Sequence, residues 1–192
     1  VVATIPAGAV QDAAGNANNT STSVDNQVEY DTPPTVVVER APGQLDPTNG
    51  STINFRVTFS EPVVGFATGD VSVTGTAFGA GSSPMGTVSG SGNVYNVAVT
   101  GMTRTGVVAV SIPANVVVDL NGCGNVQSAE ALLVQYDITP PTVTVNQTAG
   151  QADPVSAGPL SFTIVFSEPV TGFTASGVTI TGTAGGTKTV TI

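Results

Sequence analysis

The most regular feature of the chain is an alternation of apolar and polar side chains. Between residues 53 and 59, Ile, Phe, Val and Phe alternate with Asn, Arg and Thr. Successive side chains of a β-strand point to opposite faces, so this alternation predicts a strand with one face in a core. Comparable runs predict six more strands, at residues 35–38, 71–74, 87–89, 94–100, 107–112 and 132–136.

The second feature is an internal repeat. The segment Phe59-Ser60-Glu61-Pro62-Val63 returns as Phe166-Ser167-Glu168-Pro169-Val170, a shift of 107 residues (59 to 166). The same shift relates Asp12 to Asp119. One such period is close to the roughly 100 residues of an immunoglobulin-type sandwich. We therefore predict an all-β chain of tandem seven-stranded immunoglobulin-like Greek-key β-sandwiches.

Two double prolines divide the chain into modules. Pro33-Pro34 and Pro140-Pro141 stiffen short linkers, because proline restricts both its own backbone and that of the preceding residue. We assign residues 1–31 to strands F and G of one repeat, 32–137 to a complete repeat, and 138–192 to strands A to D of a third. Both partial repeats are too short to bury a core alone. They are either cropped from a longer chain or completed by a neighbouring one.

Composition and charge exclude several classes of function. The net charge is −9, whereas nucleic-acid binding requires a basic surface. Histidine is absent, which excludes Ser-His-Asp catalysis and histidine metal sites, and we predict that the chain is not an enzyme. No apolar run approaches the roughly 20 residues of a membrane helix. The single cysteine, Cys123, excludes a disulfide within the chain.

The linker and loop motifs resemble those of bacterial Ig-like tandem repeats of large secreted or cell-surface adhesin-like proteins. The motifs are Tyr30-Asp31-Thr32-Pro33-Pro34, Phe59-Ser60-Glu61-Pro62-Val63, Ile5-Pro6-Ala7 and Asp12-Ala13-Ala14-Gly15-Asn16. The resemblance implies a Greek-key sandwich, serial repetition, an extracellular location and an extending or adhesive role. It also implies that adjacent repeats of the same chain are partners and that calcium is held at module junctions.

Strand order predicts where acidic residues gather. In a seven-stranded sandwich, the B–C and F–G loops lie at the end that receives the incoming linker. That end would collect Asp31, Glu61, Asp70, Asp119 and Asn121. The next junction would collect Asp46, Asp137 and Glu168. Ca²⁺ takes about 6–8 oxygen ligands and relieves repulsion between carboxylates, so these residues are candidate junctional calcium ligands.

Each candidate also has a purely structural interpretation. Asp119 can form an Asx turn with the residues that follow it, and Glu61 can accept backbone hydrogen bonds within its loop. Asp70 corresponds to Gly177 in the following repeat, so it is not a ligand that every repeat could supply.

The leading functional interpretation is structural: a rod-like stalk, filament or sheath that extends or assembles at the cell surface. The alternative is an adhesive module that recognises a receptor, a glycan or a neighbouring cell through variable loops such as residues 77–86. A third interpretation is self-assembly, in which another copy of the chain supplies missing strands.

Overall fold

The computed structural model describes residues 1–82 and 84–192. They form two compact units, Val1–Ile138 and Thr139–Ile192. Regular structure in the described residues consists of β-strands and two short 3₁₀ turns, which confirms the predicted all-β class. No helix in this part of the chain has the length and hydropathy needed to cross a membrane.

The first unit is an immunoglobulin-like sandwich. Its strands are β1 (Val36–Arg40), β2 (Ile53–Phe59), β3 (Val63–Val64), β4 (Ser72–Thr74), β5 (Met85–Ser91), β6 (Val94–Thr100), β7 (Gly106–Ser111), β8 (Val118–Asp119) and β9 (Leu132–Tyr136). One sheet has the order β1-β2-β6-β5 and the other the order β4-β7-β9. These are the A-B-E-D and C-F-G sheets of a seven-stranded immunoglobulin fold, as predicted.

Strand β2 shows how the alternation in the sequence builds the core. Ile53, Phe55 and Val57 are fully buried, whereas Arg56 between them is exposed. The apolar residues that join them in the core include Val97 and Val99 of β6, Val108 and Val110 of β7, and Val134 of β9. Burying a large apolar side chain contributes roughly 1.5–3 kcal/mol. This two-sheet core therefore stabilises the first unit.

Strands β3 and β8 form a separate antiparallel pair outside the two main sheets. Val63 lies opposite Asp119, and Val64 lies opposite Val118. The sequence pattern did not predict either strand, because two residues are too few to show a period. The pair places Asp119 in a buried position at the start of the loop that follows β8.

Residues 1–31 belong to the first unit but contain none of the strands assigned to the described residues. They are held by isolated bridges between Val2 and Gln27 and between Gln11 and Ala17. A strand ladder needs a neighbouring strand along its length. Both of these bridges join residues within the segment, so isolated bridges stand where strands F and G were predicted.

The second unit, in which every residue is described, contains one antiparallel hairpin. Strand β10 (Val143–Gln147) pairs with β11 (Phe162–Phe166), and a 3₁₀ turn follows at Ala175–Gly177. The span 139–192, part of the span assigned to strands A to D of a third repeat, thus contains two strands. The apolar side chains of the hairpin are largely exposed, with Phe162 at 57%.

Candidate functional site

The loop after β8 organises the candidate site. Asp119 Oδ1 accepts hydrogen bonds from the backbone N–H groups of Asn121 at 2.8 Å and Cys123 at 2.9 Å. Gly122 has a φ of 93°, which glycine adopts without steric cost. Asp119 therefore shapes an Asx turn, the structural role that the sequence analysis allowed for it.

The linker before β1 is hydrogen-bonded to this loop. Asn121 Nδ2 donates to Asp31 Oδ2 at 2.9 Å, and the Val126 N–H donates to the Pro34 carbonyl at 2.9 Å. The Thr32 N–H donates to Asp31 Oδ1 at 2.9 Å. The bond from Asn121 is the main reason that the pKa of Asp31 lies below its ordinary value. Asp31 is therefore ionised at neutral pH and fixed beside the loop.

Three side chains with metal-ligand chemistry converge here. One ligand atom from each of Asp31, Asp119 and Cys123 lies within 4.8 Å of the other two. Asp119 is only 2% exposed, and no donor among the described residues reaches its Oδ2. A buried acceptor that lacks a hydrogen-bond donor costs about 1–3 kcal/mol.

The thiol of Cys123 is protonated in this environment. Burial raises its pKa, and the negative charges of Asp119 and Asp31 raise it further. Glu61 also lies close enough for its charge to raise the Cys123 pKa, so it is near the group although it is not one of its three members. Sulfur binds metal as the thiolate, so a cation would have to displace the thiol proton.

Asp70, also predicted for this end, makes a different contact. Its Oδ2 accepts a hydrogen bond from the Ala67 N–H at 2.7 Å and closes the 3₁₀ turn Thr68–Asp70. It is not a member of the cluster of Asp31, Asp119 and Cys123. Its Oδ2 therefore has a local structural role, and calcium binding by Asp70 stays a prediction.

The acids predicted for the next junction are also engaged in local bonds. Asp46 accepts a hydrogen bond from the Gln135 N–H at 2.9 Å and pairs with Arg40 at 3.1 Å. Asp137 Oδ1 accepts a hydrogen bond from the Thr105 hydroxyl at 3.0 Å. Glu168 belongs to the second unit, where it is exposed. Calcium binding by this group stays a prediction.

The loop at residues 12–16 is the counterpart of the loop at 119–123, shifted by 107 residues (12 to 119). Asp12 Oδ1 accepts hydrogen bonds from the Ala14 and Asn16 N–H groups, both at 2.9 Å. Asn16 Nδ2 also donates to Asp12 Oδ2 at 3.0 Å, and Asn16 is the main cause of the lowered pKa of Asp12. Cys123 stands in the place of Asn16, and no donor replaces the lost amide.

The sequence analysis overlooked two buried polar residues that hold this end of the sandwich together. Asn125, 1% exposed, accepts hydrogen bonds from two backbone N–H groups and donates to two carbonyls. Ser128 Oγ accepts a hydrogen bond from the Ile112 N–H at 3.1 Å. The repeat contained the signal for both, because Asn18 and Ser21 occupy the matching positions. Asn18 accepts from one backbone N–H and donates to two carbonyls, and Ser21 accepts the matching bond from Ile5.

Comparison with known families agrees with this sandwich topology. A family model described as "Bacterial Ig-like domain" matches residues 31–136. The chain belongs to the bacterial Ig-like domain family. This family is typical of surface proteins, and its domains are generally non-catalytic structural modules. No curated protein and no solved structure matches the chain.

The cluster in this bacterial Ig-like domain offers different donors to different ions. Ca²⁺ binds oxygen and would use the carboxylates of Asp31 and Asp119 together with carbonyls or water. Zn²⁺ takes carboxylate oxygen and cysteine sulfur in four-coordinate sites, so it can use Cys123 as well. The sulfur therefore distinguishes the two ions, and it comes from a residue that was not among the predicted ligands.

Proposed function

We propose that this bacterial Ig-like chain is a non-catalytic structural part of an extracellular bacterial surface protein. In this proposal, sandwiches in series form a rod-like stalk, filament or sheath. The observation that carries the proposal is that hydrogen bonds attach both linkers to the complete sandwich. A spacer needs such attachment, because a freely moving linker would not hold successive modules in line.

The incoming linker is bound at one end of the sandwich. Besides the bond from Asn121 to Asp31, the Val126 N–H holds the carbonyl of Pro34, which is itself buried. The two prolines restrict the backbone between these points. The linker therefore enters the sandwich along a defined path.

The outgoing linker, which follows β9, is also hydrogen-bonded to the sandwich. The Asp137 N–H donates to the Thr48 carbonyl at 2.8 Å, and the Ile138 N–H donates to Thr105 Oγ1 at 3.1 Å. The Thr48 N–H donates to the Gln135 carbonyl at 2.9 Å. These hydrogen bonds continue beyond the last residue of β9 and hold the backbone of the first linker residues against the sandwich.

Labelling of cells tests the location and the role together. Antibodies against residues 32–137 are applied to intact and to lysed cells of the bacterium that produces the protein. The proposal predicts labelling of intact cells, with immunogold particles at a uniform distance from the envelope in electron micrographs. Labelling that requires lysis would contradict an extracellular spacer.

A binding assay separates the spacer from the adhesive alternative. The spacer predicts no saturable binding of the 192-residue chain to glycan arrays or to intact host and bacterial cells. Saturable binding that is lost when residues 79–82 are replaced by Gly-Ser would instead support adhesion through the predicted variable loop. Ser83 of this loop lies outside the described residues. Ala77 and Phe78 are buried in the core, so the replacement leaves them in place.

Sedimentation tests the third interpretation. Analytical ultracentrifugation of the chain over a wide concentration range separates a monomeric spacer segment from a self-assembling subunit. The spacer predicts a single monomeric species. A shift to large species with rising concentration would support assembly through the exposed hairpin or the segment at residues 1–31.

A further inference from the structure

We propose that Asp31, Asp119 and Cys123 form a binding site for a thiophilic divalent cation of the zinc class. The cation would join the linker residue Asp31 to the loop at residues 119–123. This inference goes beyond the proposed function and does not rest on it. The site could fail in a protein that is still a spacer, and it could bind metal in a protein that is not.

Asp119 carries a buried oxygen that lacks a hydrogen-bond donor among the described residues. The Oδ1 atom is used by two backbone amides, whereas Oδ2 is buried and lacks a donor within the described part of the chain. Native proteins seldom leave a buried acceptor in this state without an ion, a water molecule or a functional role. One carboxylate oxygen of Asp119 belongs to a group whose ligand atoms lie within 4.8 Å of one another, a span that a single cation can draw together.

The matching loop at residues 12–16 satisfies the corresponding oxygen with a side chain. There, Asn16 supplies an amide to Asp12 Oδ2 at 3.0 Å and completes its hydrogen bonding without any ion. At residue 123 the same backbone position carries a thiol. The exchange of Asn for Cys removes a donor and introduces a potential metal ligand at the same point of the same turn.

The donor set of Asp31, Asp119 and Cys123 suits a thiophilic cation. Two carboxylates and one thiolate supply three negative charges, and Zn²⁺ completes a four-coordinate site with one water molecule. On binding, the Cys123 thiol loses its proton to solvent and the sulfur becomes a ligand. Among the described residues, Arg40 pairs with Asp46, and Arg104 and Lys188 donate to backbone carbonyls, so these cations do not neutralise this group.

The decisive test uses the reduced, metal-free 192-residue chain and its Cys123→Ser variant. Calorimetric titration with Zn²⁺ should give one site per chain, and Cys123→Ser should weaken binding at least about tenfold. Titration with Co²⁺ should give a sulfur-to-cobalt charge-transfer band in the wild type and none in Cys123→Ser. Serine preserves the turn, because Asp119 accepts the backbone N–H of residue 123 and not its side chain.

Two further variants keep the test conclusive. Cys123→Asn copies Asn16 and should abolish Co²⁺ and Zn²⁺ binding while raising the melting temperature of the metal-free chain. Asp12→Asn, a matched control in the loop without a thiol, should leave both titrations unchanged. The proposal is overturned if Zn²⁺ does not bind, or if it binds equally well to Cys123→Ser. Binding of Ca²⁺ with the same affinity in both proteins, without a Co²⁺–sulfur band, would also overturn it and favour an oxygen-only site.

Discussion

The hairpins β1–β2 and β10–β11 have the same pairing in different surroundings. Val36 lies opposite Phe59, and Val143 lies opposite Phe166, its counterpart after a shift of 107 residues (59 to 166). The first hairpin is covered by β6 and by the facing sheet, whereas the second is the only sheet of its unit. The comparison shows that the local sequence specifies register, and that burial depends on strands distant in sequence.

The contrast extends to aromatic contacts. Phe59 and Phe66 pack edge to face with their ring centroids 5.3 Å apart, and Phe166 and Phe173 do the same at 5.2 Å. Phe59 also contacts Tyr95 of β6, with a centroid distance of 6.0 Å. The pair in the second unit therefore forms locally, without the third ring that encloses the first pair.

Removal of one phenylalanine from each hairpin gives the largest expected difference. Phe55→Ala should destabilise the chain by about 3–5 kcal/mol, because it leaves a cavity in a fully buried site. Phe162→Ala, the exposed counterpart, should change stability by no more than about 0.5 kcal/mol. Urea unfolding followed by far-ultraviolet circular dichroism measures both. If both variants lose the same free energy of unfolding, other residues must bury the second hairpin in solution.

Two glycines extend the comparison to backbone crowding. A Cβ atom at Gly75 would lie 2.0 Å from the Val107 carbonyl oxygen, whereas one at Gly182 would meet nothing within 4 Å. Both glycines have positive φ, 132° and 139°, so alanine is strained at either position. We expect Gly75→Ala to cost about 2–4 kcal/mol and Gly182→Ala about 1–2 kcal/mol. Thermal unfolding of the two variants checks the difference, and a larger loss for Gly182→Ala would contradict it.

A pair of asparagines tests the same contrast for polar groups. Asn125→Ala would leave the Val116 and Val117 N–H groups and two carbonyls without partners in a buried site. We expect a loss of about 2–3 kcal/mol. Asn18→Ala removes the matching bonds in the exposed segment, where water can replace them, and should cost less than about 1 kcal/mol.

Hydrogen exchange distinguishes these two outcomes from a general loss of structure. In Asn125→Ala, the amides of Val116 and Val117 should exchange faster while those of β2 keep their protection. If Asn18→Ala proves as costly as Asn125→Ala, the segment at residues 1–31 is more deeply buried in solution than its exposure here indicates.

The smallest expected effect concerns the two lowered carboxyl pKa values. The hydrogen bond from Asn121 lowers the pKa of Asp31 from 3.8, and Asn16 does the same for Asp12. Because the folded-state pKa lies below the unfolded one, each bond contributes stability above pH 3.8 that is lost as the pH falls through the lowered pKa. Asn121→Ala and Asn16→Ala should each reduce the amount by which the free energy of unfolding falls between neutral and acidic pH. Urea midpoints measured from neutral to acidic pH test this. If the midpoint of a variant falls with pH as steeply as that of the wild type, the expectation is contradicted.

Sequence analysis predicted the parts of the fold that depend on periodicity. The alternation from Ile53 to Phe59 identified β2 and the face that it buries. Periodicity could not identify β3 and β8, because a two-residue strand has no period, and these strands position Asp119. The strand order correctly predicted that Asp31, Asp119 and Asn121 meet. It did not predict the bond to Asp70, because the Ala67 N–H that donates it precedes Asp70, whereas an Asx turn uses residues that follow the aspartate.

By itself, the sequence determined which side chains share a face, the register of each hairpin and the turn that Asp119 forms, since these depend on neighbours along the chain. Only the tertiary structure decided which of two equivalent hairpins is buried, because burial needs the facing sheet. It also decided that Cys123 and Asp31 lie beside Asp119, whose buried Oδ2 receives no hydrogen bond from the described residues. That arrangement depends on a contact between residues 31 and 121, which are close in space but distant in the chain.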